Sequence, residues 1–379
     1  MDLAFDEIQQ SLKKVARDLL SQECTKTMVR QMETDERGYP PELWSRMADL
    51  GWMGIAFPSE YGGGGCSFFE LMLLLEEMGY ALLPGPFFST VVSCGLPILH
   101  LGNEMQKQEY IPKIAKGESI LTLGIVEPAN TYDEQGIETS ASSNDDNYII
   151  NGTKLFVPYA HVSDYILCIA KATDRATEDK FYLLLVNSKD NGIAYTPLKT
   201  IGCDKQYEVV LNNVEAPKQN LLGETAVNWQ QIESILSWSV VGKCAEMLGI
   251  AQKVLEISAD YSKQRVQFGQ PIGSFQAIQH HIVNMATDVE TSRLITYKAA
   301  SKLSQGLLNA REVAMAKALV NEACRRVVAL GQQIHGGMGF IVDHDVPLYF
   351  GRAKAAEIFL GNSDYHQKKV ASELGLCPK

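Results

Sequence analysis

The chain has 379 residues, of which 46% are hydrophobic and 21% charged, and its formal net charge is −11. This length can bury a large core and is typical of two or three domains rather than one. The acidic balance argues against a protein that coats nucleic acid or an anionic membrane surface, because such partners require clustered Lys and Arg. Any phosphate that the chain binds must therefore be held by a few local residues.

The eight cysteines stand singly, without a CxxC pair or a nearby histidine at metal-ligand spacing. This pattern predicts reduced thiols and no metal site. The N-terminal stretch MDLAFDEIQQSLKK contains acids and lacks a basic leader followed by an apolar run. No apolar stretch approaches the roughly 18 residues that a membrane span requires. We therefore expect a cytoplasmic protein.

The predicted elements fall into three segments. Residues 1–117 predict helices, because stretches such as LAFDEIQQSLKKVARDLL place apolar residues three and four apart. Residues 118–224 change to short runs rich in Ile, Val, Leu and Tyr, separated by Asn-Gly and Asp-Asn pairs, which is typical of a small β domain. Residues 225–379 return to long helices with a sustained apolar stripe. The order predicts an α+β protein with an N-terminal helical domain, a central β domain and a C-terminal helical bundle.

A first candidate binding motif is YSKQRVQFGQPIGSFQAIQ, residues 261–279. We expect Arg265 and Phe268 to lie on one face at the end of a helix, because they are three residues apart. The next helix should start at Phe275 and Gln276. A permanently charged guanidinium beside an aromatic ring suits a phosphate and a heteroaromatic group. A surface arginine next to a core phenylalanine would give the same pattern.

A second candidate is GQQIHGGMGF, residues 331–340. Paired glycines directly after a helix let a ligand or another backbone approach closely, and their amides can meet a diphosphate. The same pattern is also typical of a glycine cap at a helix C-terminus. A dinucleotide-binding GxGxxG motif is excluded, because no strand precedes these glycines.

In this order and with this three-part organisation, the two stretches resemble the acyl-CoA dehydrogenase family over essentially the whole chain. SEYGGGG at 59–65 resembles the family's early loop, IVEP at 125–128 its TEP segment, and INGTKLFV at 150–157 its GxKxWIT strand. RVQFGQPIGSFQ is similar to the family's FAD-binding helix junction, and QIHGGMGF is similar to its QxxGGxG loop. The five motifs occur in the family's order, which makes the resemblance specific.

The resemblance implies that a C-terminal four-helix bundle builds a tetramer, of like or unlike chains, and that FAD lies between this bundle and the β domain. Some of the cofactor-binding residues would serve a neighbouring subunit. The residues implied for FAD are Arg265, Phe268, Phe275, Gln276, Gln333, Gly336, Gly337, Val126 and Phe156. The implied substrate is an acyl-CoA, whose α-proton passes to a carboxylate while the β-hydrogen passes as hydride to the flavin. The implied electron acceptor is electron-transferring flavoprotein.

The segment RAKAAEIFLGNSDYH, residues 352–366, departs from the family at the catalytic position. Most members place a glutamate base directly before the glycine, where this chain has Leu360. A minority of members place the base on the preceding long helix, at a position that falls near Ser239. No acid occurs between Glu233 and Glu246, so this second position also lacks a carboxylate. The resemblance therefore implies a chain without the usual base.

Two acids near the departure are candidate replacement bases. Asp364 follows the glycine, and Glu357 lies nearly one turn before Leu360. An acid near a helix end is more often a cap or a solvated charge, which is the alternative for both. Acids of the first segment, such as Glu70 and Glu77, are further alternatives.

Other departures surround the expected flavin. Val126 and Pro158 replace residues that carry hydroxyl groups in the family, and proline also lacks an N–H donor. Each missing donor should weaken the stabilisation of negative charge on the flavin. We expect His335 to face a neighbouring chain rather than to act in catalysis.

Three readings stay open at this point. In the first, the chain is an FAD-dependent acyl-CoA dehydrogenase for a branched, cyclic or aromatic acyl group, with a relocated base. In the second, it is the base-lacking subunit of a heteromeric dehydrogenase, because LLPGP at 82–86 and the AKAAE segment without the glutamate are similar to such subunits. In the third, it is a flavin- or thioester-binding protein of this fold with different chemistry.

Overall fold

The computed structural model of the chain describes residues 5–129, 131–173, 180–223, 225–307 and 309–376. Helices extend to Ala115, strands run between Leu121 and Pro217, and helices resume at Trp229. This order confirms the predicted α+β organisation of a helical domain, a central β domain and a C-terminal helical bundle.

The first segment consists of short helices around a buried central one. Polar side chains cap several helix starts, and Ser67 and Glu70 form a reciprocal capping box at the central helix. That helix is apolar on nearly every side, since the whole run Leu71–Leu75 is buried. The helices are α1 (Glu7–Glu23), α2 (Lys26–Thr34), α3 (Pro41–Asp49), α4 (Phe68–Ala81), a π segment (Phe88–Gly95), α5 (Leu96–Leu101) and α6 (Glu104–Ala115).

The second segment is a seven-stranded sheet with the order β1-β4-β2-β3-β7-β6, in which β5 also pairs with β4. Core side chains cover both of its faces, because one face packs on the helical core and the other forms a smaller apolar cluster. The strands are β1 (Leu121–Gly124), β2 (Ser140–Ser143), β3 (Asn147–Pro158), β4 (Tyr165–Ala172), β5 (Phe181–Asn187), β6 (Ile193–Leu198) and β7 (Gln206–Pro217).

The longest strand pairing, between β3 and β7, contains two irregularities. The register shifts between Ile150 and Gly152 and again between Lys154 and Val157. Phe156 lies in the second shift with a φ of 51°, and its side chain is 47% exposed. A bulge re-aims a side chain that regular pleating would send elsewhere, so this irregularity leaves the Phe156 ring partly exposed.

The third segment is a bundle of long helices with a short hairpin between the first two. Its elements are α7 (Trp229–Gln264), β8 (Val266–Gln267), β9 (Gln270–Pro271), α8 (Gln276–Ser304), α9 (Ala310–His335), α10 (Asp345–Ile358) and α11 (Ser363–Glu373). None of the helices in the described ranges is long and apolar enough to cross a membrane.

Two glycines bring α4 and α7 into close contact, which joins the first segment to the bundle. A Cβ at Gly79 would lie 2.1 Å from the Glu246 carbonyl oxygen, and one at Gly249 would lie 1.9 Å from that of Glu76. Only glycine fits at these two positions, because any side chain would collide with the backbone of the facing helix. The π segment also packs closely on α7, since a Cβ at Gly242 would lie 3.3 Å from both Phe88 Cε2 and Val92 Cγ1.

Candidate active site

The α10–α11 junction, residues 359–362, contains the position at which the family's base is expected. Helix α10 ends at Ile358, and α11 starts at Ser363 after the N-cap Asn362. Leu360 is only 4% exposed and has a φ of 53°, a left-handed conformation that a leucine rarely adopts. Such a conformation persists only where the surroundings determine it.

Three buried side chains from α9 and α11 hold the backbone at this junction. Lys317 Nζ donates to the Ala356 carbonyl oxygen at 2.7 Å, and Asn321 Nδ2 lies 3.5 Å from the Gly361 carbonyl oxygen. His366 Nε2 donates to the Leu360 carbonyl oxygen at 2.9 Å, since a carbonyl can only accept. Three carbonyl oxygens at and just after the end of α10 thus receive donors from neighbouring helices.

Burial shifts the pKa values of the two ionisable side chains in this group. It lowers the pKa of the Lys317 ammonium to about 8. Burial, together with the nearby Lys317 ammonium, lowers the pKa of the His366 imidazole to about 3. His366 is therefore neutral near pH 7, and its other ring nitrogen, Nδ1, is buried without a hydrogen-bond partner.

The two candidate replacement bases are both engaged or turned away. Glu357 is 7% exposed, accepts a hydrogen bond from Lys354 Nζ at 2.6 Å and lies 3.9 Å from Arg325 Nη1. Asp364 is exposed in the first turn of α11, where a negative charge stabilises a helix N-terminus. Neither carboxylate is a free group beside Leu360.

At the second position where the family can carry its base, this chain has a buried serine that forms a hydrogen bond. Ser239 is 1% exposed, and its Oγ lies 3.1 Å from Ser93 Oγ of the π segment. One turn further along α7, Lys243 Nζ lies 3.7 Å from the ring centroid of Phe88 and 4.9 Å from that of Phe359. Lys243 also forms an ion pair with Glu246. Sequence reasoning missed Lys243, because a single lysine in an apolar helix carries no motif.

The acids of the first segment have structural partners. Glu70 accepts hydrogen bonds from the Ser67 backbone N–H and from Gln9 Nε2, both at 2.8 Å. Glu77 is buried and accepts a hydrogen bond from Arg17 Nη2 at 3.0 Å. These contacts assign the two glutamates to helix capping and to the packing of α1 against α4.

The β-domain wall beside the expected flavin is braced by a buried ion pair. Glu127 and Lys154 pair with almost no solvent exposure, and Glu127 Oε2 also accepts the backbone N–H groups of Glu138 and Thr139. Val126 lies next to this pair, and its carbonyl oxygen accepts the Leu155 N–H at 2.8 Å. The Pro158 carbonyl oxygen accepts a hydrogen bond from Thr122 Oγ1. Val126, two residues after the end of β1, thus lies beside Leu155 and Phe156 of β3.

Arg265 and Phe268 do not share a helix face, so the predicted placement was wrong, while their role in holding the diphosphate and adenine stays a prediction. Helix α7 ends at Gln264, and Arg265 already has extended backbone. Phe268 lies at the tip of the β8–β9 hairpin with a φ of 53°, followed by Gly269 with a φ of 79°. Two successive positive φ values make the tight hairpin turn whose twist matches that of the strands. Arg265 is exposed, and Phe268 is 93% exposed.

The start of α8 agrees with the prediction, since Phe275 is its N-cap and Gln276 its first residue. The Phe268 and Phe275 rings meet edge to face, with 6.1 Å between their centroids. Because the resemblance predicts an FAD contact here, we call Arg265–Gln276, most of which is exposed, one part of the cofactor rim. The other part of the rim is Gln333–Gly337, at the end of α9.

The paired glycines of the cofactor rim act as a helix cap and also leave open space. Gly336 has a φ of 57°, and its N–H donates to the Gln333 carbonyl oxygen. A Cβ at Gly336 or Gly337 would meet no atom of the chain within 4 Å. His335, which we expected to face a neighbouring chain, is instead 3% exposed and stacks on Tyr261 at 4.3 Å. Its burial within the chain corrects that expectation.

Two tyrosines that sequence reasoning missed connect the β domain to the α10–α11 junction. Tyr132 Oη donates to the Ile358 carbonyl oxygen at 2.9 Å, and Tyr365 Oη donates to the Tyr132 carbonyl oxygen at 2.6 Å. The two rings pack with their centroids 5.8 Å apart. A cavity of about 610 Å³ lies elsewhere, between α1 and the turn Gly62–Gly64, and none of the predicted site residues lines it.

Comparison with known proteins agrees with this architecture. Three family models match in order: the acyl-CoA dehydrogenase N-terminal domain at residues 6–118, the middle domain at 122–214 and the C-terminal domain at 229–375. A 3-(aryl)acrylate reductase of Clostridium sporogenes is 33% identical over 377 residues, which are 98% of this chain and 99% of the relative. The caffeyl-CoA reductase–Etf complex subunit CarC of Acetobacterium woodii is 30% identical, over 98% of this chain and 99% of the relative.

A solved structure shows the same fold over the full length. The chain matched in the ChsE4–ChsE5 complex from Mycobacterium tuberculosis superposes with a TM-score of 0.91 at 26% identity, covering 100% of both chains. The matches to all three domains and the full-length relatives agree with the order of helices and strands. The chain therefore belongs to the acyl-CoA dehydrogenase family, whose members are oxidoreductases that act on CH–CH groups of their donors.

Proposed function

We propose that this chain is the base-lacking, FAD-binding subunit of a heteromeric acyl-CoA oxidoreductase, in which another chain supplies the carboxylate that takes the α-proton. The observation that carries the proposal is the state of the carboxylates around Leu360. Glu357 is bound to Lys354, and Asp364 faces solvent. A minority of the family carries the base at the helix position of Ser239, and here the Ser239 hydroxyl is hydrogen-bonded to that of Ser93.

A missing base has a large kinetic cost. General-base catalysis contributes about 10²- to 10⁴-fold to a rate, and the base must lie within hydrogen-bond reach of the proton. Glu357 would have to leave its ion pair with Lys354 to serve, and Asp364 would have to leave the solvent-facing side of α11. A partner chain that carries the glutamate before its glycine removes this difficulty. The match to a chain of a two-component complex supports this form of assembly.

The cofactor rim fits FAD. Arg265 offers a planar guanidinium for phosphate oxygens, and Phe268 offers an exposed ring. Gly336 and Gly337 leave room for a close approach to backbone amides. The partly exposed ring of Phe156 gives the β domain an aromatic surface that suits a flavin. Bound FAD would accept the hydride of the family's reaction, while the residues of this chain orient it and shield it from water.

The assembly and electron acceptor follow from the same proposal. The cofactor rim is exposed on the single chain. We therefore propose that a neighbouring chain covers it, in a tetramer of two chain types. The acceptor is electron-transferring flavoprotein, an idea that the relative in an Etf complex supports. A cytoplasmic location is part of the proposal.

A second candidate function is favoured by Lys243. In that alternative the chain itself dehydrogenates a branched, cyclic or aromatic acyl-CoA. Lys243 lies against the rings of Phe88 and Phe359, near Leu360. A pocket lined by a cation and two rings suits such an acyl group better than a straight alkyl chain. Its base would have to come from a rearranged carboxylate.

The test is anaerobic reduction of the flavin by acyl-CoA. The chain is purified alone with added FAD and also together with a chain that copurifies from its own cells and carries the glutamate. Butyryl-CoA, a branched, a cyclic and an aromatic acyl-CoA are then added while the visible flavin band is followed. We expect no bleaching by the chain alone and bleaching by the pair. Bleaching of the chain alone would reject the proposal and select the second candidate.

A further inference from the structure

The described residues 131–139, which precede β2, reach from the β domain to the α10–α11 junction. The Tyr132 hydroxyl donates to the Ile358 carbonyl oxygen, two residues before Leu360. The Tyr365 hydroxyl donates back to the Tyr132 carbonyl oxygen. We call this reciprocal pair of bonds the tyrosine latch. It links one residue of the β domain to both sides of the junction.

The loop that carries Tyr132 is braced by its own side chains. Thr131 Oγ1 donates to Asp133 Oδ1 at 2.9 Å, and the same Oδ1 accepts the Gly136 N–H at 3.0 Å. A Cβ at Gly136 would lie 2.1 Å from Thr131 Oγ1. The strand side of the loop is held where Glu127 accepts the Thr139 N–H. The latch is therefore carried by a braced turn rather than by a loose chain.

The bundle side of the latch is fixed as well. Lys369 Nζ lies 5.7 Å from the Tyr365 ring centroid and pairs with Glu233 of α7 at 2.6 Å. Burial raises the pKa of the Tyr132 hydroxyl to about 12 and also raises the pKa of Tyr365. Both hydroxyls thus remain donors throughout the physiological pH range.

Behind the latch, side chains of the chain itself occupy the space around Leu360. The rings of Phe88 and Phe359 meet edge to face at 5.6 Å, and the Lys243 ammonium lies against both. Ser239 and Ser93 close the wall next to them. The family's reaction needs the acyl α-carbon beside position 360. A substrate there would have to displace these contacts, which adjoin the Ile358 carbonyl that accepts the Tyr132 hydroxyl.

We propose that Tyr132 and Tyr365 determine whether this chain admits a CoA thioester to the position beside Leu360, and that in the isolated chain they keep it out. The inference rests on the proposed function, because a subunit without a base gains nothing from binding the thioester itself. It adds a specificity role to two residues. The ligand class is the acyl-CoA thioester. The two hydroxyls oppose its entry by hydrogen-bonding the β domain to the α10–α11 junction.

The experiment measures binding rather than turnover. Butyryl-CoA and free CoA are titrated calorimetrically into the full chain with FAD present. The variants are Tyr365→Phe, which removes one hydroxyl, and Tyr132→Ala, which removes the ring. The matched control is Tyr195→Phe, because Tyr195 Oη also donates to a backbone carbonyl oxygen, that of Ser188, within the β domain.

We expect undetectable or very weak butyryl-CoA binding by the wild type and by Tyr195→Phe. Tyr365→Phe should bind about tenfold more tightly and Tyr132→Ala more tightly still, because a closed state lowers the apparent affinity by the fraction of open molecules. Thermal unfolding of each variant confirms that it is folded, and Tyr365→Phe alone decides the outcome if Tyr132→Ala is unstable.

Wild-type binding as tight as that of the variants would overturn the proposal, and so would variants that bind no better than the wild type. Binding of free CoA without preference for butyryl-CoA would also overturn it, because the latch guards the acyl position. None of these results needs a base or a turnover. The bleaching experiment therefore judges the proposed function independently of the latch.

Discussion

The α10–α11 junction and the cofactor rim are built in opposite ways. At the junction, Leu360 is buried, and the Leu360 carbonyl oxygen accepts a hydrogen bond from His366. At the rim, Phe268 is 93% exposed, and a Cβ at Gly337 would meet nothing within 4 Å. One region is buried and packed within the chain, while the other is exposed to solvent.

The difference shows which part of the family's chemistry this chain can serve alone. Groups that bind a ligand must keep donors and surface free until the ligand arrives, as the rim does. Groups at the junction are committed to one another, so a new ligand there must first break their contacts. The chain is thus better suited to hold a cofactor with a neighbour than to receive a substrate by itself.

Acidification should break the closed region with the largest effect. The pKa of His366 is about 3 in the folded chain, below the ordinary value of 6.5. The unfolded chain therefore binds a proton first as the pH falls below 6.5, and the stability lost between pH 6.5 and 3 amounts to about 4–5 kcal/mol. Urea unfolding across this range measures the loss.

The variant His366→Gln removes the titrating group and keeps a side-chain donor near the Leu360 carbonyl. Its stability should depend less steeply on pH between 3 and 6.5 than that of the wild type. Equal slopes for the two proteins would mean that His366 is accessible to solvent or charged when folded. His280, which is exposed on α8, supplies a control variant, His280→Gln, that should keep the wild-type slope.

A methyl group at Gly361 should break the same region with a somewhat smaller effect. Gly361 has a φ of 106°, and an added Cβ would lie 2.4 Å from Tyr365 Cδ1 and 2.9 Å from His366 Nε2. Overpacking costs about 1–3 kcal/mol, and a positive φ adds roughly 1–2 kcal/mol for a residue with a side chain. We expect Gly361→Ala to lower the free energy of unfolding by about 2–5 kcal/mol. A loss below about 0.5 kcal/mol, the range of ordinary surface substitutions, would show that the junction can relax.

The three-part fold was predictable because its elements have strong periodic patterns. The helical stripe of LAFDEIQQSLKK and the apolar runs of the β domain can be recognised without any knowledge of their tertiary contacts. The hairpin at Val266–Pro271 was missed, because a phenylalanine at positive φ contradicts local propensity and is set by the turn. His335 was placed outside for a similar reason, since a polar residue beside two glycines gives no sign that it will stack on Tyr261.

The candidate site was predictable only in part. The absence of a glutamate at Leu360 is visible in the sequence once the resemblance is recognised. The tyrosine latch is not, because its two members are 233 positions apart and no repeat or motif links them. Lys243 and Lys317 were missed because lysine is normally a surface residue, and only tertiary packing reveals a buried one.

Removing the guanidinium of Arg265 should sharpen the open side of the comparison. A hydrogen bond to a charged group contributes about 1.5–3 kcal/mol, so Arg265→Ala should weaken FAD binding at least about tenfold. The chain should keep its thermal stability, because Arg265 is exposed. Flavin content after gel filtration at several FAD concentrations measures the affinity for FAD. The measurement is made on the chain alone and on the chain with the copurified partner.

Two further variants make this measurement specific. Arg265→Lys keeps the charge but loses the planar fork, so it should recover only part of the affinity. Arg311→Ala removes an exposed arginine at the start of α9, away from the rim, and should leave flavin content unchanged. Unchanged flavin content in Arg265→Ala would mean that the hairpin does not contact the diphosphate.

The smallest effect on stability is expected at Gly337, where the comparison with Gly361 is most direct. Both glycines follow a helix, yet a Cβ at Gly337 meets no atom of the chain within 4 Å, and its φ is not in the left-handed region. Gly337→Ala should therefore change the free energy of unfolding by less than about 0.5 kcal/mol. It should nevertheless lower FAD affinity, because the methyl group takes the space through which a diphosphate reaches the amides. A variant that is equally stable and equally flavinated would remove Gly337 from the cofactor rim, whereas lost stability would show that the rim is closed within the chain.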